Sequence, residues 1–324
     1  MRPLGQCSAG CVGTDPDIPG KGCSCMTFNN YTGVAVETLP EGARTYDGVI
    51  EPSGVDLFAR NPWRSPGAAL IFSPCGIQGA NPHGCGGATI CPGGGYAGGP
   101  DVRSLPWPDA VVTQWTAGAV EEAAWGIIAN HGGGYAYRLC KIADEGPVDL
   151  SGVTEECFAA NTLEWAQATS YIQWGDDPAS RKEFANLLVS EGTTPEGATW
   201  ARNPIPACAG LGGGFQNTGA NCSEEEGETQ FAPPLPGVFG FGEHVEAGAP
   251  GGFRQDFEWS IVDKLQVPAD IAPGRYALSW RWDCEQTSQV WAHCSAIDIK
   301  LPSSESHGPQ IRMPTDRDAA VSST

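Results

Sequence analysis

The segment GRYALSWRWDC (274–284) restricts the fold more than any other stretch. Tyr276, Leu278, Trp280 and Trp282 alternate with Ser279, Arg281 and Asp283. Successive side chains of a β-strand point to opposite faces, so this spacing builds one apolar and one polar face. The expectation is a half-buried strand of an antiparallel sheet. VVTQWTAG (111–118), AVEEAAWGIIAN (119–130), GGYAYRLC (133–140), FEWSIVDKLQV (257–267) and QVWAHCSAIDIKL (289–301) share its β-branched and aromatic texture. Trp125, Ile127 and Ala129 alternate, and the same parity runs on to His131 at the end of the segment. Long helices are disfavoured because 44 Gly and 27 Pro interrupt a chain of 324 residues.

These segments predict an all-β protein, an immunoglobulin- or fibronectin III-like antiparallel sandwich with long disulfide-stapled loops. A single domain is expected over residues 1–302, with Cys/Gly/Pro-rich loops at 1–110 and the sandwich core at 111–302. Residues 303–324 read as a polar tail or linker, and helix is confined to short turns such as Thr154–Ala160.

Charge and cysteine content narrow the partners and the compartment. The 38 acidic and 18 basic residues leave a net charge of −20, which repels nucleic acid and anionic membrane surfaces. No apolar stretch approaches the ~20 residues that span a bilayer. Thirteen cysteines and two glycosylation sequons, at Asn30 and Asn221, point to an oxidising, extracellular setting. MRPLGQCSAG contains no apolar signal core, so the expectation is a secreted, monomeric protein whose sequence here begins inside the mature chain. An odd cysteine count agrees with a partner upstream or a free thiol.

Several chemistries find no support. CPGGGYAGG (91–99) and GLGGGF (210–215) do not continue into a phosphate-binding motif and read as loops. A zinc pattern and a G-x-S-x-G elbow are both missing from the sequence. Glu121-Glu122 and Glu155-Glu156 supply carboxylates for a glycoside hydrolase, but neighbouring strand residues point apart, and solvated charge is the expected role. Cys7, Cys11, Cys23, Cys25, Cys75, Cys85 and Cys91 read as disulfide halves whose pairing stays open. Among the later cysteines, Cys140–Cys157, Cys284–Cys294 and Cys208–Cys222 are read as local bridges.

The sequence Asn130-His131-Gly132-Gly133-Gly134-Tyr135 places a histidine at a strand end, with three glycines that clear space around it. ANHGGGYAYRLC (129–140), followed by the cysteine of TEECF (154–158), resembles the lytic polysaccharide monooxygenases of the invertebrate and oomycete-like kind and the related chitin-binding type-4 domains. Trp125, Asn130, His131, Gly134, Tyr135, Arg138, Leu139 and Cys140 carry the likeness, as do Gln289-Val290-Trp291-Ala292-His293-Cys294 and NPWRSPG (61–67).

The resemblance implies one copper ion on a flat, exposed surface, an external electron donor and a polysaccharide substrate. It implies His131 as a metal ligand, Gln289 as a donor to the bound oxygen species, and Trp291 in the axial position. In that family two histidines and the N-terminal amine form the copper brace. This chain begins Met1-Arg2-Pro3, so the second histidine is expected upstream, and Trp291 stands where a tyrosine or phenylalanine is usual. His293 shares the parity of Gln289 and Trp291 and is read as a satisfied surface histidine. His83, His244 and His307 have no second ligand at metal-binding spacing. A secreted carbohydrate-binding or extracellular-matrix protein on the same fold is the alternative.

Overall fold

The computed structural model describes residues 25–28, 37–45, 56, 58–71, 73–78, 101–104, 113–126, 131–174, 177–205, 259–286 and 288–302. Asn30, Asn221, Cys208, Cys222, His83, His244 and His307 lie outside the described residues.

The described strands are β1 (Cys25–Phe28), β2 (Ile77–Gln78), β3 (Thr113–Thr116), β4 (Val120–Trp125), β5 (Gly134–Ala143), β6 (Glu164–Trp165), β7 (Thr169–Trp174), β8 (Lys182–Ala185), β9 (Leu188–Val189), β10 (Trp200–Arg202), β11 (Trp259–Gln266), β12 (Gly274–Asp283) and β13 (Gln289–Lys300). They form two packed sheets. The larger runs β2-β1-β13-β12-β5-β10-β9, with β3 also on β13; the smaller runs β4-β11-β7-β8, with β6 on β11. Helix is limited to α1 (Glu155–Ala159) and single turns, and the Thr154 hydroxyl caps α1 by accepting from the Cys157 N–H. The all-β sandwich expected from the strand patterns is the fold observed. One pairing is not antiparallel: β3 lies parallel to β13, Trp115 beside Ile299. The first hundred residues are not loops alone, since β1 extends the larger sheet through Met26 beside Trp291.

Between the sheets sits an aromatic core of Trp125, Tyr135, Tyr137, Trp165, Trp280 and Trp282 with Ile172, Ile261, Leu265 and Leu278. Burial of such rings is the main stabilising term, roughly 25 cal/mol per Å² of apolar surface. His293 faces the same core, its ring 6.5 Å from Trp280, so it is buried and not a surface residue as expected.

The polar face of β12 is also buried, contrary to the half-buried expectation. Ser279, Arg281 and Asp283 are each at most 1% exposed. Residues of the 61–76 stretch cover them: Arg281 Nη2 donates to the Ala69 carbonyl at 2.9 Å, and Asp283 accepts from the Gly67 N–H at 2.9 Å. Glu155 of α1 reaches in to Arg138 and Arg281, so it is an ion-pair partner and not solvated charge. Glu122 likewise pairs with Arg181, at 2.6 Å.

Cys140 and Cys157 are bonded, tying β5 to α1. Cys294, however, bonds Cys75 and not Cys284. Strand parity explains the correction. Cys284 continues the inward row of Trp280 and Trp282, whereas Cys294 lies opposite Ser279 on the outer face, packed with Ala277 and Cys140. Two cysteines on opposite faces of a sheet cannot bring their sulfurs together. Among the described residues no helix is long and apolar enough to cross a membrane.

Peptide mapping of the unreduced protein should recover a Cys75–Cys294 cross-link and a Cys140–Cys157 cross-link. A Cys284–Cys294 peptide would contradict the strand parity on which this assignment stands.

Candidate functional site

The turn before β5 places His131, and backbone contacts fix that turn. The His131 carbonyl accepts from the N–H groups of Glu285 at 3.2 Å and Gln286 at 2.9 Å. The Gly132 carbonyl accepts from Trp282 Nε1 at 2.7 Å. Gly133 donates its N–H to Thr45 Oγ1 and accepts from the Asn203 N–H, so it bridges two loops.

Gly133 and Gly134 make room for packing rather than for a ligand. Gly133 has φ +79°, and a Cβ there would lie 2.0 Å from the Asp283 carbonyl oxygen. At Gly134 a Cβ would meet the Trp63 ring at 2.3 Å and the Ala201 carbonyl at 2.5 Å. Close approach of backbone and ring therefore demands glycine at both positions, for packing reasons.

NPWRSPG supplies the floor of this turn. Trp63 is fully buried; its N–H donates to the Cys284 carbonyl and its Nε1 to the Ala43 carbonyl. Arg64 Nε reaches Glu285 Oε1 at 2.7 Å, and Nη1 reaches Glu37 and Asp56. Burial pulls the Arg64 guanidinium down, but Glu285, Glu37 and Asp56 outweigh it and hold the group above its ordinary value. Glu285 completes its own satisfaction by accepting from the Thr45 N–H at 2.6 Å.

His131 and Trp291 both lie against Trp282, and Gln289 contacts Trp291. The His131 ring stacks beside Trp282 at 6.1 Å and 18°, and the Trp291 ring does so at 6.2 Å and 23°. Register dictates the second contact, since Trp282 and Trp291 are direct cross-strand partners. Trp291 Nε1 donates to Gln289 Oε1 at 3.2 Å. The arrangement is not the open patch that the resemblance implies: His131 is 9% exposed and Gln289 8%, with Trp291 partly exposed.

His131 Nδ1 lies 3.4 Å from Gln286 Oε1, a long contact. Burial pulls the imidazole down to about 4, against a smaller opposing effect of Gln286, so the ring is neutral at ordinary pH. A neutral ring is the form that binds a metal.

The donor set is nonetheless partial. Among the described residues no three His, Cys, Asp or Glu side chains form a group able to hold a metal ion. These side chains, among the described residues, do not complete a copper site.

Two site residues escape motif reading, Trp282 and Gln286. The strand alternation assigns Trp282 to the core, yet its ring edge is what His131 and Trp291 share. Gln286 lies in an irregular turn, where no pattern points to it. Asp263 is a third omission: it interrupts the inward row of Ile261 and Leu265 on β11, and an acidic residue in an apolar parity row is the signal that finds it.

No protein-family profile matches the chain. A curated protein of Pyricularia oryzae, an AA13 family lytic polysaccharide monooxygenase A, is 24% identical over 202 residues. The match takes in 62% of this chain and spans 46% of that protein's length, about half. The chain is thus distantly similar to a lytic polysaccharide monooxygenase, in agreement with the likeness carried by its own motifs.

The buried histidines set a pH dependence. His293, like His131, is pulled down to about 4 by burial. In the unfolded chain the ordinary value is 6.5, so as pH falls the unfolded state takes up protons first. It binds more protons than the native state between those two values, and stability rises with pH across that window. Unfolding free energy should fall by up to roughly 3 kcal/mol per histidine between pH 6.5 and 4. Denaturant titrations at stepped pH should show a shallower fall for His293→Leu; an unchanged slope would remove His293 as a cause.

Proposed function

We propose that this protein is a secreted, copper-dependent polysaccharide monooxygenase-like enzyme acting on a chitin- or cellulose-like glycan. His131 would be one residue holding the metal, Gln289 a neighbouring amide donor, and Trp291 the aromatic packed beside them. The observation that carries the reading is the placement of His131. Its backbone is pinned by Glu285 and Gln286, its ring lies along Trp282, and its Nδ1 faces Gln286. A ligand held on two sides is oriented before the metal arrives. The distant likeness to a named lytic polysaccharide monooxygenase supports the reaction class.

When bound, copper supplies the one-electron chemistry, fed by an external electron donor. The chain's own residues prepare the ground. His131 is neutral at ordinary pH, so one ring nitrogen keeps its lone pair. Gln289 Oε1 is engaged by Trp291 Nε1, which turns the amide NH₂ toward other acceptors. Tryptophan fills its position sterically and brings no phenol oxygen.

A second reading is favoured by the donor set, since among the described residues no three His, Cys, Asp or Glu side chains form a group able to hold a metal ion. On that reading the same fold is a non-catalytic carbohydrate-binding or extracellular-matrix protein.

Copper titration separates them. A form beginning at Met1 should bind Cu(II) weakly by calorimetry, because one imidazole is a poor chelator. A form whose first residue is histidine gains an amine and a second imidazole, and its affinity should rise by orders of magnitude through effective concentration. In that form His131→Ala should abolish the copper paramagnetic signal and oxidised sugar release. Gln289→Leu should keep the signal and slow release. If the histidine-led form binds no copper yet still adheres to insoluble glycan, the binding-protein reading replaces the enzyme.

A further inference from the structure

We propose that Asp263 is an acid-sensitive joint between the two sheets: as a carboxylate it clasps β5 to β11, and on taking up a proton it loosens that clasp while both sheets stay folded. The carboxylate sits on the inner row of β11 and is fully buried. From the larger sheet it accepts from Tyr137 Oη at 2.7 Å and Tyr135 Oη at 3.1 Å, both on β5. From the smaller sheet it accepts from Trp125 Nε1 of β4 and Trp165 Nε1 of β6, at 3.2 Å each, and from the Ser170 hydroxyl of β7.

Packing alone does not call for a carboxylate at this point. Burial penalises its charge, and none of these five partners carries a compensating one. What they supply is hydrogen. Bonds from N–H and O–H donors to an ionised acceptor are roughly twice as strong as bonds to a neutral one. The clasp therefore draws its strength from the charge of Asp263, and it weakens when that charge is lost.

The loss takes a defined form. Oδ1 accepts from Tyr135, Trp165 and Ser170, and Oδ2 from Trp125 and Tyr137. An indole N–H only donates, whereas a hydroxyl can also accept. A proton from water that adds to Oδ2 therefore finds its acceptor in the Tyr137 oxygen, and the phenol hydrogen rotates off Asp263. One O–H bond forms at Asp263 and no covalent bond of the protein breaks. The other four donors then face a neutral acid, and the Tyr137 hydrogen has given up its acceptor in a buried place.

Burial outweighs the donors and lifts the Asp263 carboxyl above its ordinary value of 3.8. The folded chain therefore takes up this proton before the unfolded chain does. Taken alone, the group favours the folded state as pH falls through that window, opposite in sign to His131 and His293. Its protonation is thus an event within the folded protein and not a step of unfolding. Of the groups in contact, only Tyr135 and Tyr137 titrate, and burial holds both well above the ordinary phenol range, so they stay protonated throughout. β4, β6 and β7 bring only indoles and a hydroxyl to the carboxylate. The histidines of this core lie against other rings, His131 beside Trp282 and His293 beside Trp280.

The test titrates the whole protein from neutral pH downward by difference infrared spectroscopy and circular dichroism. The carbonyl band of a buried carboxylic acid should appear above pH 3.8, together with a near-ultraviolet change from the surrounding rings and an unchanged far-ultraviolet spectrum. Asp263→Asn presents one acceptor and a donor, as the protonated acid does. It should lack the band and show the acid-form near-ultraviolet spectrum already at neutral pH. Tyr137→Phe keeps the carboxyl but removes a donor to its charged form, so the transition should move to higher pH; this variant decides the matter if Asp263→Asn does not fold. His293→Leu should leave the transition in place. A band that persists in Asp263→Asn, a midpoint unmoved in Tyr137→Phe, or a transition that vanishes with His293→Leu overturns the proposal. So does the absence of any band above pH 3.8, or a far-ultraviolet collapse coincident with the near-ultraviolet change.

Discussion

Arg281 is buried on the outer face of β12 between Asp283 and Glu155, and the covering of that face depends on this cluster. Arg281 Nε sits 2.7 Å from Asp283 Oδ1, and Nη1 sits 2.6 Å from Glu155 Oε1. Burial pulls the guanidinium down; the two carboxylates overcome it and hold the group firmly charged. Such a pair contributes little net stability beside an apolar substitute, but removing one partner strands the other and costs about 3–5 kcal/mol. Its structural effect is directional. Gly67 and Ala69 supply the backbone donor and acceptor that satisfy Asp283 and Arg281, so the 61–76 stretch can sit only where it does. From there Trp63 and Arg64 extend under the His131 turn.

This dependence ties the candidate site to distant chain segments. His131 is held through Glu285 and Gln286, Glu285 through Arg64 and Thr45, and Arg64 through Glu37 and Asp56. A turn held through this many hydrogen bonds has few alternative positions, which suits the proposed role of His131. The cost is access, because the same contacts leave His131 and Gln289 largely covered.

The strands were legible because alternation survives in the inward rows: Trp280 and Trp282 on β12, Tyr135 and Tyr137 on β5, Ile297 and Ile299 on β13. His131 and Trp291, singled out by motif, both come against Trp282. The outer face was not legible. Arg281 and Asp283 look like solvent-facing polar residues in any local reading, and only pairing across 126 residues with Glu155 shows otherwise. Cys294 failed for the same reason, since its partner Cys75 is 219 residues away while Cys284 is near in sequence but on the wrong face. The glycines after His131 advertise absence of side chains, and a sequence cannot say whether that absence admits a ligand or, as here, Trp63 and the Asp283 carbonyl.

One consequence joins the two faces of the larger sheet. β12 carries the buried ion pairs on its outer side and the Trp280–Trp282 row on its inner side. The outer charges fix the strand's register against β5 and β13, where Ser279 opposes both Arg138 and Cys294. Because strand side chains have a period of two, that register also fixes which rings meet inside. A slip of one residue would turn Trp282 outward and part His131 from Trp291 together. The charged face is therefore what keeps the site and the aromatic core in one continuous stack.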